Sequence, residues 1–235
     1  MLSPIDLRDL ARVLEPEVVD TELDAAEYQG IDNREVNRVF VERALELGPK
    51  DGSVLDLGAG PGDIAILLAR TAPGLRVVAI DLAEHMLALA RIAVHDAGWS
   101  ARVEIACRDA KATGFPDSAF DLVVANSLVH HIPEPREVFR EVARMLRPGG
   151  ALFIKDLLRP KTESELHHLV ATYAKNDSDY QRTLFENSLH AALRVDEVER
   201  LCEEAGLTDV TVARASDRHW TIERAAVIVT KREAP

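Results

Sequence analysis

The residues with the most chemical meaning lie between Val54 and Ala65, where the run VLDLGAGPGDIA carries an acid, Asp56, and then glycines at Gly58, Gly60 and Gly62. Glycine adopts backbone conformations that side chains forbid and lets a ligand come against the main chain. An apolar run before the glycines and a helical pattern after them read as strand, tight turn and helix start. The free N–H groups of that helix start face whatever occupies the turn. Nineteen residues past Gly62 a second apolar run, LRVVAI, ends in Asp81. A carboxylate at the tip of a neighbouring parallel strand is placed to accept both hydroxyls of a ribose. The chemistry indicated is recognition of a nucleoside-bearing ligand.

Spacing separates the possible nucleosides. The dinucleotide fingerprint G-x-G-x-x-G needs its third glycine one position later than Gly62, where this chain has Asp63. Asp56 and Asp63 would repel a pyrophosphate, whereas an ammonium and a sulfonium would be welcome. The stretch Asp56–Gly62, with Ala59 between the first two glycines, resembles the first motif of the class I S-adenosylmethionine-dependent methyltransferases, acid-x-G-x-G-x-G. The likeness continues through Asp81, Asp109, Asn126 and the LRPGG turn, over roughly residues 50 to 156. It implies that S-adenosylmethionine is held by Gly58 and Gly60, by Asp81, by Asp109 at the adenine amino group with the Ala110 N–H beside it, and by the main chain near Asn126. By the same likeness Asp56 holds the methionine ammonium through water, and Leu82 and Met86 sandwich the adenine. Met86 also lies on the apolar face of its helix, where packing is the preferred explanation. Taken alone, Asp81 also reads as a helix cap and Asp109 as a turn former.

The segment NSLVHHIPEP, residues 126 to 135, resembles the loop that lies beside the transferable methyl in small-molecule methyltransferases of the quinone-biosynthesis group. Consecutive His130 and His131 should point in different directions. His131 is taken to face substrate, as a general base suited to neutral pH, with a plain hydrogen-bonding loop histidine as the alternative. His219 is a second candidate base. Asp156 and Arg159 at the end of FIKDLLRP, together with Arg218, His219 and Trp220, could form a cluster for a polar or anionic substrate with an aromatic wall, although for Arg218 a solvated loop is the preferred reading. Tyr28 and Tyr173 join the substrate side as members of possible lid segments.

Alternating strands and helices from about residue 53 must position these groups, which is the pattern of a parallel sheet covered on both faces. Strands are expected at 53–57, 75–80, 102–107, 121–126 and 151–156. TDVTVARA and RAAVIVTKR read as two more, joined by a polar loop from Ser216 to Trp220. The resemblance implies a Rossmann-like seven-stranded α/β sheet, mostly parallel, with helices on both faces and the last strand antiparallel. A final helix carries Val198, Leu201, Cys202 and Ala205 on one face, with Asp196 as its N-cap and Gly206 as its stop. Residues 1–50 look helical, with Val36, Val39, Phe40 and Ala44 at helical spacing, and 161–192 suggest two inserted helices. The expected organisation is one domain over 1–235: a helical cap at 1–50, a cofactor core at 51–156, a helical lid at 157–195, and a final helix with hairpin at 196–235.

At 235 residues and 47% hydrophobic, the chain suits one α/β domain with a sizeable core. A formal charge of −12 argues against nucleic acid or an anionic membrane as partner and favours a small-molecule substrate. Two cysteines without a C-x-x-C pair, and the absence of a secretory pattern, point to a reducing cytoplasm. Adjacent His167 and His168 do not share a helix face as joint metal ligands would, so no metal is expected. No G-x-S-x-G elbow supports a serine hydrolase. The resulting expectation is direct displacement of a methyl group onto a small-molecule O, N, S or C nucleophile, with S-adenosylhomocysteine as product. The rivals are a nicotinamide-dependent oxidoreductase and a non-catalytic cofactor-binding protein.

Overall fold

The computed structural model describes residues 9–17, 20 and 33–227. Seven strands form one sheet in the order β3-β2-β1-β4-β5-β7-β6. They are β1 (Asp51–Leu57), β2 (Gly74–Asp81), β3 (Val103–Cys107), β4 (Phe120–Asn126), β5 (Leu146–Leu157), β6 (Thr211–Arg214) and β7 (His219–Arg224). The first five run parallel, and β7 pairs antiparallel with both β5 and β6. Apolar runs such as Leu122–Ala125 are buried on both faces, as helix-covered parallel strands must be.

Helices α1 (Arg34–Leu47), α2 (Asp63–Thr71), α3 (Glu84–Asp96), α4 (Arg136–Met145), α5 (Glu163–Tyr173), α6 (Asp179–Ala191) and α7 (Val195–Ala205) connect or cover the strands. One core joins α4 and α7 to the sheet through Phe139, Val142, Met145, Val198 and Cys202; the opposite core joins α1 and α2 through Phe40, Ala44, Leu68 and Ala69. Phe40 stacks 4.7 Å from Phe153 of β5. Burying each such ring contributes roughly 1.5–3 kcal/mol, which fixes α1 over the sheet. α5 and α6 pack on the N-terminal segment through Leu10, Leu157, Leu166, Leu169 and Leu189.

The sheet order reverses between β1 and β4, and open α/β sheets bind ligands at the carboxyl ends of strands beside such a reversal. Among the described residues, no helix is long and apolar enough to cross a membrane.

Several boundaries differ from the sequence-based expectation. Within the expected helical cap, residues 9–16 have no regular structure and only Arg34–Leu47 is helical among the described residues. The buried face of α1 is Asn37, Phe40, Val41, Ala44 and Leu45, while Val36 and Val39 are half exposed. The α7 N-cap is Arg194, whose N–H donates to Glu197, and not Asp196; Gly206 ends the helix at φ 79° as expected. The last strand is His219–Arg224, earlier than the expected RAAVIVTKR, of which residues 228–232 lie outside the described residues. His219 and Trp220 therefore belong to a strand, paired with Leu157 and Asp156, and the turn before them is shorter than Ser216–Trp220.

Candidate active site

At the carboxyl edge a cavity of about 580 Å³ runs from the glycine turn to the inserted helices. Its cofactor half is built by β1, β2 and the segments that follow β3 and β4. Gly58, Gly60 and Gly62 all take positive φ, 68°, 51° and 84°. A Cβ at Gly58 would stand 2.7 Å from Leu128 Cδ1, whereas one at Gly60 would meet nothing within 4 Å. Gly60 thus faces open space that a ligand can enter, and Gly58 is required by packing as well as by backbone conformation. Gly62 is buried against Ala90 and serves helix packing, and neither it nor Ala59 lines the cavity.

Asp81, at the end of β2, accepts the Gly60 N–H at 2.8 Å on one oxygen and the Ala83 N–H at 2.9 Å on the other. The acid both braces the glycine turn and caps the following turn. Each oxygen keeps a further lone pair toward the cavity it lines. Asp109 accepts the Lys111 N–H at 2.8 Å, the turn-forming contact, and the Lys111 ammonium at 3.0 Å, yet it too lines the cavity. Ala110, Leu82, Met86 and Asn126 line the same half. Met86 is half-buried at the cavity and is not part of either core.

Asp56 lies beneath this surface, 1% exposed, and its Oδ2 has no partner. Burial, and then the nearby charge of Asp81, push its carboxyl up to about 8. An orphaned acid under a glycine cradle, with carboxylates above it, fits a ligand carrying an ammonium and a ribose, and fits a pyrophosphate poorly.

The other half of the cavity is lined by Glu15, His131, Lys155, Leu157, Tyr173, Leu184, Phe185, Ser188, Arg218 and His219. His130 and His131 lie in a short 3₁₀ turn, and their rings are 4.0 Å apart instead of diverging. His130 is buried, with Nδ1 2.5 Å from Asp156 Oδ1. Burial opposes charge on His130, but the Asp156 carboxylate and its hydrogen bond outweigh that and raise its pKa. His131 is partly exposed, and its Nδ1 sits 2.8 Å from Glu15 Oε1 without forming a hydrogen bond. Burial disfavours the Glu15 carboxylate, yet both imidazoles hold its pKa below the ordinary range. Glu15, His130 and His131 bring donor atoms within 4.8 Å of one another, near enough to share a cation, but the Glu15–His131 separation is that of a direct pair. His219 differs: burial first, and then the charges of Lys155 and Arg218, press its pKa down to about 4. It is neutral at pH 7 and a weak base.

Three residues expected to meet substrate are placed otherwise. Asp156 is buried and fully engaged by the N–H groups of Leu128, Val129 and Leu157 and by His130. It holds the histidine turn in place, and those donors keep it ionised despite burial. Arg159 is buried among the carbonyls of Leu10 and Ala192 and the carboxylate of Glu197, tying the N-terminal segment to the insert. Trp220 is fully buried in the core of the α4 and α7 face, because its strand position turns the ring away from the cavity. Tyr28 lies outside the described residues. Tyr173 does line the cavity, with its hydroxyl donating to Asp217 at 2.6 Å and the Arg218 guanidinium 3.4 Å over its ring.

The sequence reading missed Glu15, Lys155, Asn33, Asn37 and Phe185 as lining residues. Lys155 left a signal, a lone cation inside the apolar run of β5. Glu15 left none, since its place depends on Arg12, which donates to the carbonyls of Ala191, Ile132 and Pro133 and docks the segment.

Comparison with known proteins agrees with this geometry. A methyltransferase domain family matches residues 55–154. The chain is 33% identical to a demethylmenaquinone methyltransferase of Thermotoga maritima, covering 69% of this chain and 67% of that protein. It is 30% identical to a ubiquinone/menaquinone biosynthesis C-methyltransferase of Pseudomonas entomophila over 75% of this chain and 73% of that one. It is 34% identical to the 27-O-demethylrifamycin SV methyltransferase of Amycolatopsis mediterranei over 66% and 53%. The chain therefore spans from about half to three-quarters of the length of these relatives. The fold is shared with Haemonchus contortus phosphoethanolamine N-methyltransferase 2, solved with phosphomonomethylethanolamine and S-adenosylhomocysteine, at TM-score 0.66 and 22% identity over 88% of this chain and 57% of that one. A SAM-dependent methyltransferase from Aquifex aeolicus gives 0.62 and 21% over 87% and 99%. With the glycine turn, Asp81 and the seven-stranded sheet in place, the chain belongs to the class I S-adenosylmethionine-dependent methyltransferase family, and it is similar to the quinone-biosynthesis group.

Proposed function

We propose that this chain moves a methyl group from S-adenosylmethionine to a small-molecule nucleophile. The observation that carries the reading is a single cavity joining the glycine turn and Asp81 at one end to His131 at the other. Its volume of about 580 Å³ falls in the ~300–1,000 Å³ range of small-molecule sites.

The cofactor, when bound, supplies an already activated sulfonium methyl, so the protein's part is binding, alignment and proton handling. Asp81 and Asp109 offer carboxylate oxygens to the ribose and adenine, Leu82 and Met86 flank the base, and Asp56 answers the ammonium. Holding acceptor and methyl in line supplies much of the barrier reduction without a covalent intermediate. His131, paired with Glu15, takes the acceptor's proton where it has one; a positioned base contributes about 10²–10⁴-fold. The helices α5 and α6 and the N-terminal segment close the cavity's substrate half against water. The acidic balance of the chain suits a small molecule better than nucleic acid or an anionic membrane, and two free thiols suit the cytoplasm.

Calorimetry of S-adenosylhomocysteine and of NAD against the same protein tests the cofactor. Micromolar or tighter binding of the first and none of the second is expected, and preference for NAD would replace this reading with an oxidoreductase. Transfer of labelled methyl from S-adenosylmethionine to quinone and polyketide phenols then tests the reaction.

A further inference from the structure

The substrate half of the cavity holds two cations: Lys155, with no partner among the described residues, and Arg218, only loosely paired. Lys155 is half-buried in β5, level with Asn126 of β4 and Thr221 of β7, and among the described residues its ammonium makes no hydrogen bond or ion pair. Burial and the neighbouring positive charge of Arg218 lower its pKa. Arg218 reaches Asp217 Oδ1 only at 3.9 Å, while the other oxygen of that carboxylate accepts from the Tyr173 hydroxyl at 2.6 Å. Tyr173 holds the guanidinium by stacking. Burial first, and then these cations, keep His219 neutral, so it adds a polar edge without charge of its own.

This pairing is unusual within the molecule. Other half-buried cations have partners: Lys111 meets Glu17 and Asp109, Arg144 meets Glu141 and Arg159 meets Glu197, while Arg12, Arg102 and Arg108 donate to backbone carbonyls. In a chain of formal charge −12, an unpaired lysine and a loosely paired arginine lining one cavity are not a by-product of composition. A desolvated charge is costly unless paired, and like charges placed together raise that cost. An anion entering the cavity removes both penalties. The same half of the cavity is also lined by the apolar side chains of Leu157, Leu184 and Phe185 and by the carboxylate of Glu15.

We propose that the methyl acceptor is an organic acid, its carboxylate seated between Lys155 and Arg218 and its apolar body against Leu157, Leu184 and Phe185. That this acid is the acceptor rests on the methyltransferase reading; the anion seat itself does not. Lys155 and Arg218 then decide which substrates are taken, and His131 stands apart from them to serve the accepting atom.

Benzoate, benzamide and benzyl alcohol serve as probes of equal body and different charge, titrated by calorimetry into the full chain with and without saturating S-adenosylhomocysteine. Charge-assisted hydrogen bonds predict that benzoate binds about tenfold or more tighter than either neutral probe. Lys155→Met and Arg218→Gln should each remove most of that preference, and the double variant all of it, while affinity for S-adenosylhomocysteine stays within about twofold. Unchanged cofactor affinity also reports that the variants are folded. Equal affinity for acid and neutral probes, including no measurable affinity for any, overturns the proposal, as does a preference for benzoate that survives in the double variant. Benzoate preference in a protein that fails to bind S-adenosylhomocysteine upholds the anion seat and refutes the methyltransferase reading, so the two failures are distinct.

Discussion

Asp56→Asn separates the cofactor role of this acid from its cost to the fold. The side chain is 1% exposed with Oδ2 unpartnered, and its carboxyl stands at about 8 where an ordinary aspartate has 3.8. Between those values the folded chain holds a proton that the unfolded chain has released. Because the folded pKa is the raised one, the stability associated with this group is complete below the lower value and is lost as pH climbs to the upper one. The slope is at most ~1.4 kcal/mol per pH unit for one proton. Asparagine keeps the shape and does not titrate. The stability of Asp56→Asn relative to wild type should therefore grow by ~1–2.5 kcal/mol between about pH 5.5 and about pH 7.5, other groups cancelling in the comparison. Urea unfolding of both proteins at a series of pH values measures it. The ammonium of S-adenosylhomocysteine restores the charged acid, so wild-type binding near neutrality should release a proton, seen as a dependence of binding heat on buffer. Asp56→Asn should lose that release and bind about tenfold or more weakly. A stability difference that is flat with pH, or proton release retained in the variant, refutes the reasoning.

Asp81→Ala should weaken S-adenosylhomocysteine about tenfold or more, since it removes the brace of the Gly60 turn as well as two acceptor oxygens; calorimetry on the folded variant checks it. Gly58→Ala should destabilise and impair binding together, because φ 68° and a 2.7 Å approach to Leu128 leave no room for a methyl, whereas the open side of Gly60 predicts that Gly60→Val loses cofactor affinity with less loss of stability. Trp220→Ala should cost ~3–5 kcal/mol in urea unfolding, as removal of a fully buried ring does, with no selective rise in KM. His131→Ala should lower kcat by about 100-fold or more with cofactor affinity kept, while His219→Ala lowers it far less, because its nitrogen is too weakly basic at pH 7.

The cofactor half was legible because its constraints are local. Positive φ at Gly58, Gly60 and Gly62 permits few residues other than glycine, and an acid ending β2 needs only the strand period to place it. The substrate half depends on long-range packing. Asp156 and Arg159 are charged residues at a strand end, which suggests a ligand, yet both are consumed by contacts with chain far away in sequence. The β-branched run Val227–Thr230 has stronger strand propensity than HWTIER, so propensity shifted the last strand late and left Trp220 in a loop. Pairing with β5 decides the matter by burying Trp220 and Ile222 on one face. Glu15 reaches His131 only because Arg12 anchors an irregular segment, for which no periodicity exists to be read.

The most direct test of the central claim is a crystal structure of the protein with S-adenosylhomocysteine. The account predicts the ribose at Asp81, the adenine between Leu82 and Met86 near Asp109, the ammonium on the Asp56 side, and the sulfur facing the half of the cavity that His131 shares with Lys155 and Arg218. Binding elsewhere, or an imidazole of His131 farther than about one water-bridged hydrogen bond from the position the methyl would occupy, would contradict it.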